Sequence, residues 1–207
     1  MVYPDIKIAD AVQDPGLERY LYRCLAPMPF RRYKKRAEYL KNAAGRGLRK
    51  EVLLVGGDAV GMIEYAPAPV SAYPISGKGI SVMNCIWVLR RAKGHGFGKL
   101  LMRRMLDSVP NSTVIATIAL VGHPSPWLKL PQIEYLGFRS IDSRRMRHKI
   151  KRPEICFETH LMWMPLVEGS DPPEMDWDTM MRGVDFCIAH PLYRAERLGL
   201  EVVFEEC

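Results

Sequence analysis

The sequence predicts a single α/β domain. Three observations carry that prediction: strand-like and helix-like patterns alternate along the chain, the apolar content suffices for one real core, and no apolar run is long enough to cross a membrane. At 207 residues and 48% hydrophobic, the chain has the size at which one core is well buried, and two full domains would each be left small. No stretch reaches 18 consecutive apolar residues, and "MVYPDIKIAD" lacks the charged start and apolar middle of a signal peptide. A soluble, cytoplasmic protein with no membrane partner is therefore expected. Cys24, Cys85, Cys156, Cys187 and Cys207 are odd in number and irregular in spacing, which predicts free, mostly buried thiols.

The elements follow in order. "YPDIKIA" reads as a first strand. Asp14-Pro15 offers an N-cap followed by proline at the first helical position, which opens a helix through about Leu25. A second helix is expected over about residues 30–44, stopped by "GRG". "KEVLLVGGDAVGMIEYAP" is two apolar runs joined by Gly56-Gly57-Asp58, a hairpin signal. "ISVMNCIWVL" (residues 80–89) is apolar at nearly every position, so it predicts a strand buried on both faces at the centre of the sheet. From Phe97 the apolar residues fall at Phe97, Leu100, Leu101 and Met105, the period of an amphipathic helix ending before Pro110.

Between that strand and that helix lies "RAKGHGFGK", with glycine at 94, 96 and 98. A helix N-terminus leaves N–H groups unpaired and carries partial positive charge, and glycines let an anion approach the backbone closely. Phosphate is the natural guest. The P-loop pattern fails because Gly98-Lys99 is followed by Leu100 and the first glycine would fall on Lys93. The dinucleotide fingerprint fails too, demanding glycine at 99 or at 101, where Lys and Leu stand. What fits is [QR]-x-x-G-x-G, in one register from Arg91 and in another from Lys93.

On these residues the chain resembles the GNAT superfamily of acyl-CoA-dependent N-acyltransferases, whose characteristic loop joins a fourth strand to a third helix. "STVIATIAL" is similar to the family's fifth strand, "IEYLGFRSID" to its Y-x-x-x-G-F passage, and "FETHLMWMP" to its last strand. The resemblance spans roughly residues 3–165 and is strongest over 80–141. It implies a mixed, twisted sheet with a splayed centre and helices on both faces, and acetyl-CoA as co-substrate. It also implies a pyrophosphate site at Lys93, Gly94, His95, Gly96, Phe97, Gly98 and Lys99, with pantetheine beside Trp87, Val88 and Leu89. The acceptor it implies is a small-molecule or peptide amine, and a homodimer is compatible with it.

The acceptor side departs from the family pattern. No carboxylate stands in "VMNC" (residues 82–85), and Ile133 occupies the usual position of the acidic tyrosine. Tyr135 follows two residues later, turned about 200° round a helix, and reads as a packing residue. Acylating an amine calls for a proton acceptor. His123 in "VGHPSPW" is the first candidate, with Glu64, Asn84 and Ser125 behind it, and His95 reads as a phosphate-side residue.

Two basic runs, "RRYKKR" and "RRMRHKIKR", lack the aromatic interleaving of single-strand binders. They read as solvated faces or contacts to CoA phosphate, the second at a strand-loop-strand tip near the acceptor, so nucleic acid is not the expected partner. Cys156 with His160, and Cys187 with His190, supply zinc's ligand count, but along a strand the first pair spans about 13 Å, so no metal is expected. After Val167 come ten acidic and three basic residues, a balance of −7, so with a total of +7 the first 166 residues carry +14. Residues 1–166 thus read as the acyltransferase domain and 167–207 as an acidic extension packing on it, which is either ballast or turns Asp176, Asp178 and Asp185 towards a cationic amine. A CoA-binding protein without turnover, a basic RNA- or ribosome-associated module and a structural zinc protein stay open as other readings.

Overall fold

The apolar run from residue 80 forms the middle of the sheet in the computed structural model, which describes residues 5–22, 34–195 and 199–207. In chain order the elements are β1 (Ile6–Asp10), α1 (Glu18–Leu21), α2 (Lys34–Ala43), β2 (Arg49–Val55), β3 (Asp58–Pro67), β4 (Ile75–Ser76) and β5 (Ile80–Val88). Then follow α3 (Phe97–Ser108), β6 (Val114–Val121), α4 (Leu130–Tyr135), β7 (Arg139–His148), β8 (Cys156–Pro165), β9 (Glu174–Met175), α5 (Trp177–Met180) and β10 (Phe204–Glu206). Eight strands form one sheet in the order β1, β2, β3, β5, β6, β8, β7, β10, and β4 with β9 forms a two-stranded sheet. Every neighbouring pair in the large sheet is antiparallel except β5 with β6. The sheet is therefore mixed, as expected.

Helices cover both faces, and two consecutive residues of β3 show it. Successive strand side chains point to opposite faces. Glu64 meets Arg36 of α2, while the hydroxyl of Tyr65 meets Ser108 of α3. The expected hairpin is present, β2 running into β3 through Gly56-Gly57. Asp14 does cap the first turn, its carboxylate accepting from the N–H of Gly16 at 2.9 Å. That turn is a 3-10 turn (Pro15–Leu17) followed by the single turn of α1. The expected continuation to Leu25, and the start of the second helix at residues 30–33, lie outside the described residues.

The centre is splayed, and β5 itself causes it. Glu64 lies opposite Cys85 and Tyr65 opposite Met83, so Asn84 is an extra residue on β5, a bulge of the kind that re-aims a strand. The parallel ladder with β6 covers only Ile80–Val114, Ser81–Ile115 and Val82–Ala116. The Thr117 hydroxyl donates to the Met83 carbonyl at 2.7 Å, and beyond that the two strands part.

The C-terminal segment corrects several expectations. Composition changes at residue 167, but packing does not, because Trp177, Met180, Phe186, Leu192, Val203 and Phe204 lie in the same core as β5 and β6. β8 is not the last strand, since β10 pairs with β7. The basic strand and the acidic tail are complementary there: Arg147 meets Glu205 and Arg144 meets Glu206, each at 2.9 Å. The same pairing brings the chain end beside the start of β8, where Cys207 and Cys156 form a disulfide. Irregular spacing carried no warning of a bridge made by topology. Cys85 is a free thiol, as expected. Arg36, expected on a solvated face, is buried against Glu64. The three tail aspartates do not converge on a site: Asp176 caps α5 through the N–H of Thr179 at 2.9 Å, Asp178 is exposed in the same first turn, and Asp185 lies 3.8 Å from Lys35.

Candidate active site

The glycine loop folds as its sequence requires. Gly94 (φ 84°) and Gly96 (φ 73°) are left-handed, a region costly to residues with a Cβ. Gly96 is the N-cap of α3, and by helix geometry the first N–H groups of α3 have no intrahelical acceptor. A Cβ at Gly94 or Gly96 would meet nothing within 4 Å, so the backbone here faces open space. That space belongs to a cavity of about 550 Å³ between the end of β5, the loop and α4. Lys93 lies 5.9 Å from the Trp87 ring centre and Lys99 4.2 Å from that of Tyr135, so two cations flank a row of open N–H groups. This donor set, with one apolar wall, fits a long ligand carrying phosphates.

Of the expected binding residues, Trp87, Val88, Lys93, Gly94, Gly96, Phe97, Gly98 and Lys99 line this cavity, and Leu89 and His95 do not. The Leu89 N–H is used by the Val60 carbonyl at 2.8 Å. His95 is exposed on the outside of the loop, 5.6 Å from Phe97 between ring centres. Sequence reasoning missed the opposite wall, Pro126, Pro131, Gln132 and Leu136. It also misjudged Tyr135, which is no packing residue: it is 67% exposed and lines the cavity. Ile133, in the expected tyrosine position, is buried.

Three of the residues expected to move protons have other work. Glu64 is buried, and its carboxylate accepts from Arg36 at 2.9 Å and lies 3.6 Å from the Lys50 ammonium. Burial pushes its pKa up, but Arg36 and Lys50 outweigh burial and hold it at about 2, too low for a base near neutrality. Asn84, fully buried, ties down its own bulge. It accepts from the Ala72 N–H at 3.0 Å and donates to the Tyr39 hydroxyl at 2.7 Å, while its carbonyl accepts from the Tyr73 hydroxyl at 2.6 Å. His123 accepts from the Ser125 N–H through Nδ1 at 3.1 Å, so in the neutral ring the proton sits on Nε2. Burial, then Lys129 and Arg152, lower its pKa to about 4. It offers a donor rather than a free lone pair.

Trp87 divides the 550 Å³ cavity from a second, much smaller one of about 20 Å³, walled also by Cys85, Trp127, Phe186, Cys187 and His190. The Trp87 indole N–H is buried without a partner among the described residues. Burial, then Cys187 and Glu64, push the Cys85 thiol up to about 12, which keeps it protonated. His190 and Pro191 in turn separate this space from a third cavity of about 240 Å³.

A mixed sheet parted at its one parallel pair, with a glycine turn and a helix N-terminus beside the parting, defines an acyltransferase scaffold of the kind the loop suggested. The chain belongs to the acetyltransferase (GNAT) family, whose model matches residues 18–125. Among solved structures, a GNAT-family protein from Desulfovibrio desulfuricans is similar over 79% of this chain and 100% of its own, with 15% identity and a TM-score of 0.55. The ribosomal-protein-S18-alanine N-acetyltransferase of Escherichia coli is similar over 81% and 97%, with 12% identity and a TM-score of 0.54. A Bacillus subtilis acetyltransferase in complex with CoA is similar over 79% and 100%, with 12% identity and a TM-score of 0.50. At such identities the likeness is one of fold. Among curated proteins nothing matches the chain.

Proposed function

We propose that this protein is an acetyl-CoA-dependent N-acetyltransferase acting on a primary amine. One observation carries the reading: the glycine turn and the open end of α3, flanked by Lys93 and Lys99, sit beside the point where β5 and β6 part. Family membership and the CoA-bound relative of the same fold support acyl-CoA as the co-substrate. Backbone N–H groups at 96–99 and the two lysines would hold the phosphates, and Trp87 and Val88 would line the pantetheine arm.

Acetyl-CoA supplies an electrophilic thioester carbon; the amine nitrogen bonds to it, the carbon–sulfur bond breaks, and the proton given up by the amine balances the released thiolate. No ready base lines the space around Trp87 among the described residues. The Cys85 thiol stays protonated, and burial raises Tyr73 well above the ordinary phenol value. The chain would act chiefly by holding a free amine against the thioester, which by itself supplies large rate factors.

No described helix is long and apolar enough to cross a membrane, and the compartment we infer is the cytoplasm, where acyl-CoA thioesters are made. Disulfides are uncommon there. The β10–β7 pairing that brings Cys207 towards Cys156 is made by Phe204, Glu205 and Glu206.

Thiol release from acetyl-CoA, measured with and without a panel of amines and peptides, tests the proposal. Release that depends on an amine and yields its amide supports it. CoA binding with no release for any acceptor would leave a binding protein without turnover.

A further inference from the structure

The 550 Å³ cavity follows one edge of β5. Ile86, Trp87 and Val88 all line it, although successive side chains of a strand point to opposite faces, so what the three share with the cavity is an edge of the strand. The other edge is closed, because β3 pairs with β5 as far as Gly61 opposite Val88. Towards β6 the ladder ends at Val82–Ala116, which leaves 86–88 without a strand partner on that side. An arm laid there meets main-chain donors and acceptors as an added strand would. Polar side-chain atoms are scarce along this edge. Ile86 and Val88 have none, and Trp87 Nε1 is buried without a partner among the described residues. The indole is held in place: it packs edge-on against Trp127, with ring centres 5.3 Å apart and planes at 70°, and the Lys93 ammonium lies 5.9 Å from its centre.

An indole N–H donates and never accepts, and a buried donor with its hydrogen bond unmade is costly until an acceptor arrives. Resting on the acyltransfer reading above, we propose that Trp87 is a catalytic residue whose indole N–H donates to the thioester carbonyl oxygen of acetyl-CoA. The amides of the pantetheine arm are served by the main chain of the open edge, which leaves the thioester oxygen as the acceptor for that edge's side-chain donor. As the amine nitrogen bonds to the carbonyl carbon, the π pair of the C=O bond moves onto oxygen, where the N–H holds it. The pair returns as the carbon–sulfur bond breaks, and the proton given up by the amine balances the departing thiolate. A fixed, uncharged donor aimed at developing charge works without a titrating group. It suits a site in which Glu64 is held too low, and Cys85 too high, to act as a base near neutrality.

The test uses the full chain, whose four tryptophans give separate indole N–H signals in heteronuclear NMR. Replacing each in turn by phenylalanine assigns them, and Trp87 is assigned by elimination if its own variant fails to fold. Titration with acetyl-CoA should move the Trp87 indole proton downfield relative to S-ethyl-CoA, a thioether with a methylene in place of the carbonyl. Equal shifts with the two ligands overturn the proposal while leaving CoA binding intact, whereas calorimetry that finds neither ligand bound overturns the acyltransfer reading as well. Trp87→Phe keeps an aromatic ring and removes the donor. With any amine that supports thiol release, its kcat should fall about 100-fold, the usual effect of losing one such donor, while KM for acetyl-CoA stays within about threefold of the parent. A kcat within about threefold of the parent, or a loss confined to KM, overturns the proposal.

Discussion

Replacing Glu64 by glutamine separates a structural carboxylate from a catalytic one. Its side chain is 2% exposed, and it faces Arg36 and Lys50, whose side chains are 6% and 3% exposed. Removing the negative charge takes the shared buried counter-charge away from Arg36 and Lys50, a change that costs about 3–5 kcal/mol in comparable pairs. At roughly 2–4 °C per kcal/mol for a chain of this size, the melting temperature should fall by about 6–20 °C. Calorimetric or circular-dichroism melts measure this directly, and adding Arg36→Met should recover part of the loss by removing one stranded cation. A variant that melts within about 2 °C of the parent while losing about 100-fold or more in turnover would refute the reasoning and restore Glu64 as a base.

Two other consequences concern stability. A chain ending at residue 166 loses Trp177, Met180, Phe186, Leu192, Val203 and Phe204 from the shared core, roughly 10 kcal/mol of apolar burial, comparable to the whole stability of a domain. It should not fold cooperatively, and a truncated protein with a sharp thermal transition would show the tail to be dispensable. Acid should act in two stages: His190 and His123 are lowered by burial and cationic neighbours to about 3 and about 4, from 6.5, and Glu64 from 4.5 to about 2. A depressed pKa means that the unfolded chain binds the extra proton first, so stability is full above pH 6.5, falls as the histidines charge below it, and falls again below 4.5 as Glu64 protonates. Denaturant midpoints that stay flat between pH 7 and 5 would contradict this.

Local pattern made the central elements legible. The continuous apolar run at 80–88, the 3.6-residue period after Phe97 and the alternate glycines describe a strand, a turn and a helix without reference to anything distant, and the family loop follows from them. The contacts behind the loop are not local. Arg36 meets Glu64 across 28 residues, Tyr73 meets His190 across 117, and Cys207 reaches Cys156 only because β10 joins the edge of β7. His123 reads from the sequence as a candidate proton acceptor. Its hydrogen bond to Ser125, two residues on, is the detail that turns it from an acceptor into a donor. Charge counting marked residue 167 as a boundary, whereas the acids beyond it serve partly as cross-strand partners for Arg144 and Arg147.

The central claim is that the loop at 94–98 binds an acyl-CoA through its backbone. Gly96→Glu tests it most directly: the Cβ points into open space, so the fold persists apart from a left-handed strain of roughly 1–2 kcal/mol, while a carboxylate now stands where phosphate would lie. Titration calorimetry with acetyl-CoA should show one site per chain in the parent and no measurable heat of binding in Gly96→Glu, with both proteins folded by circular dichroism. No binding by the parent, or equal affinity in the variant, would contradict the account.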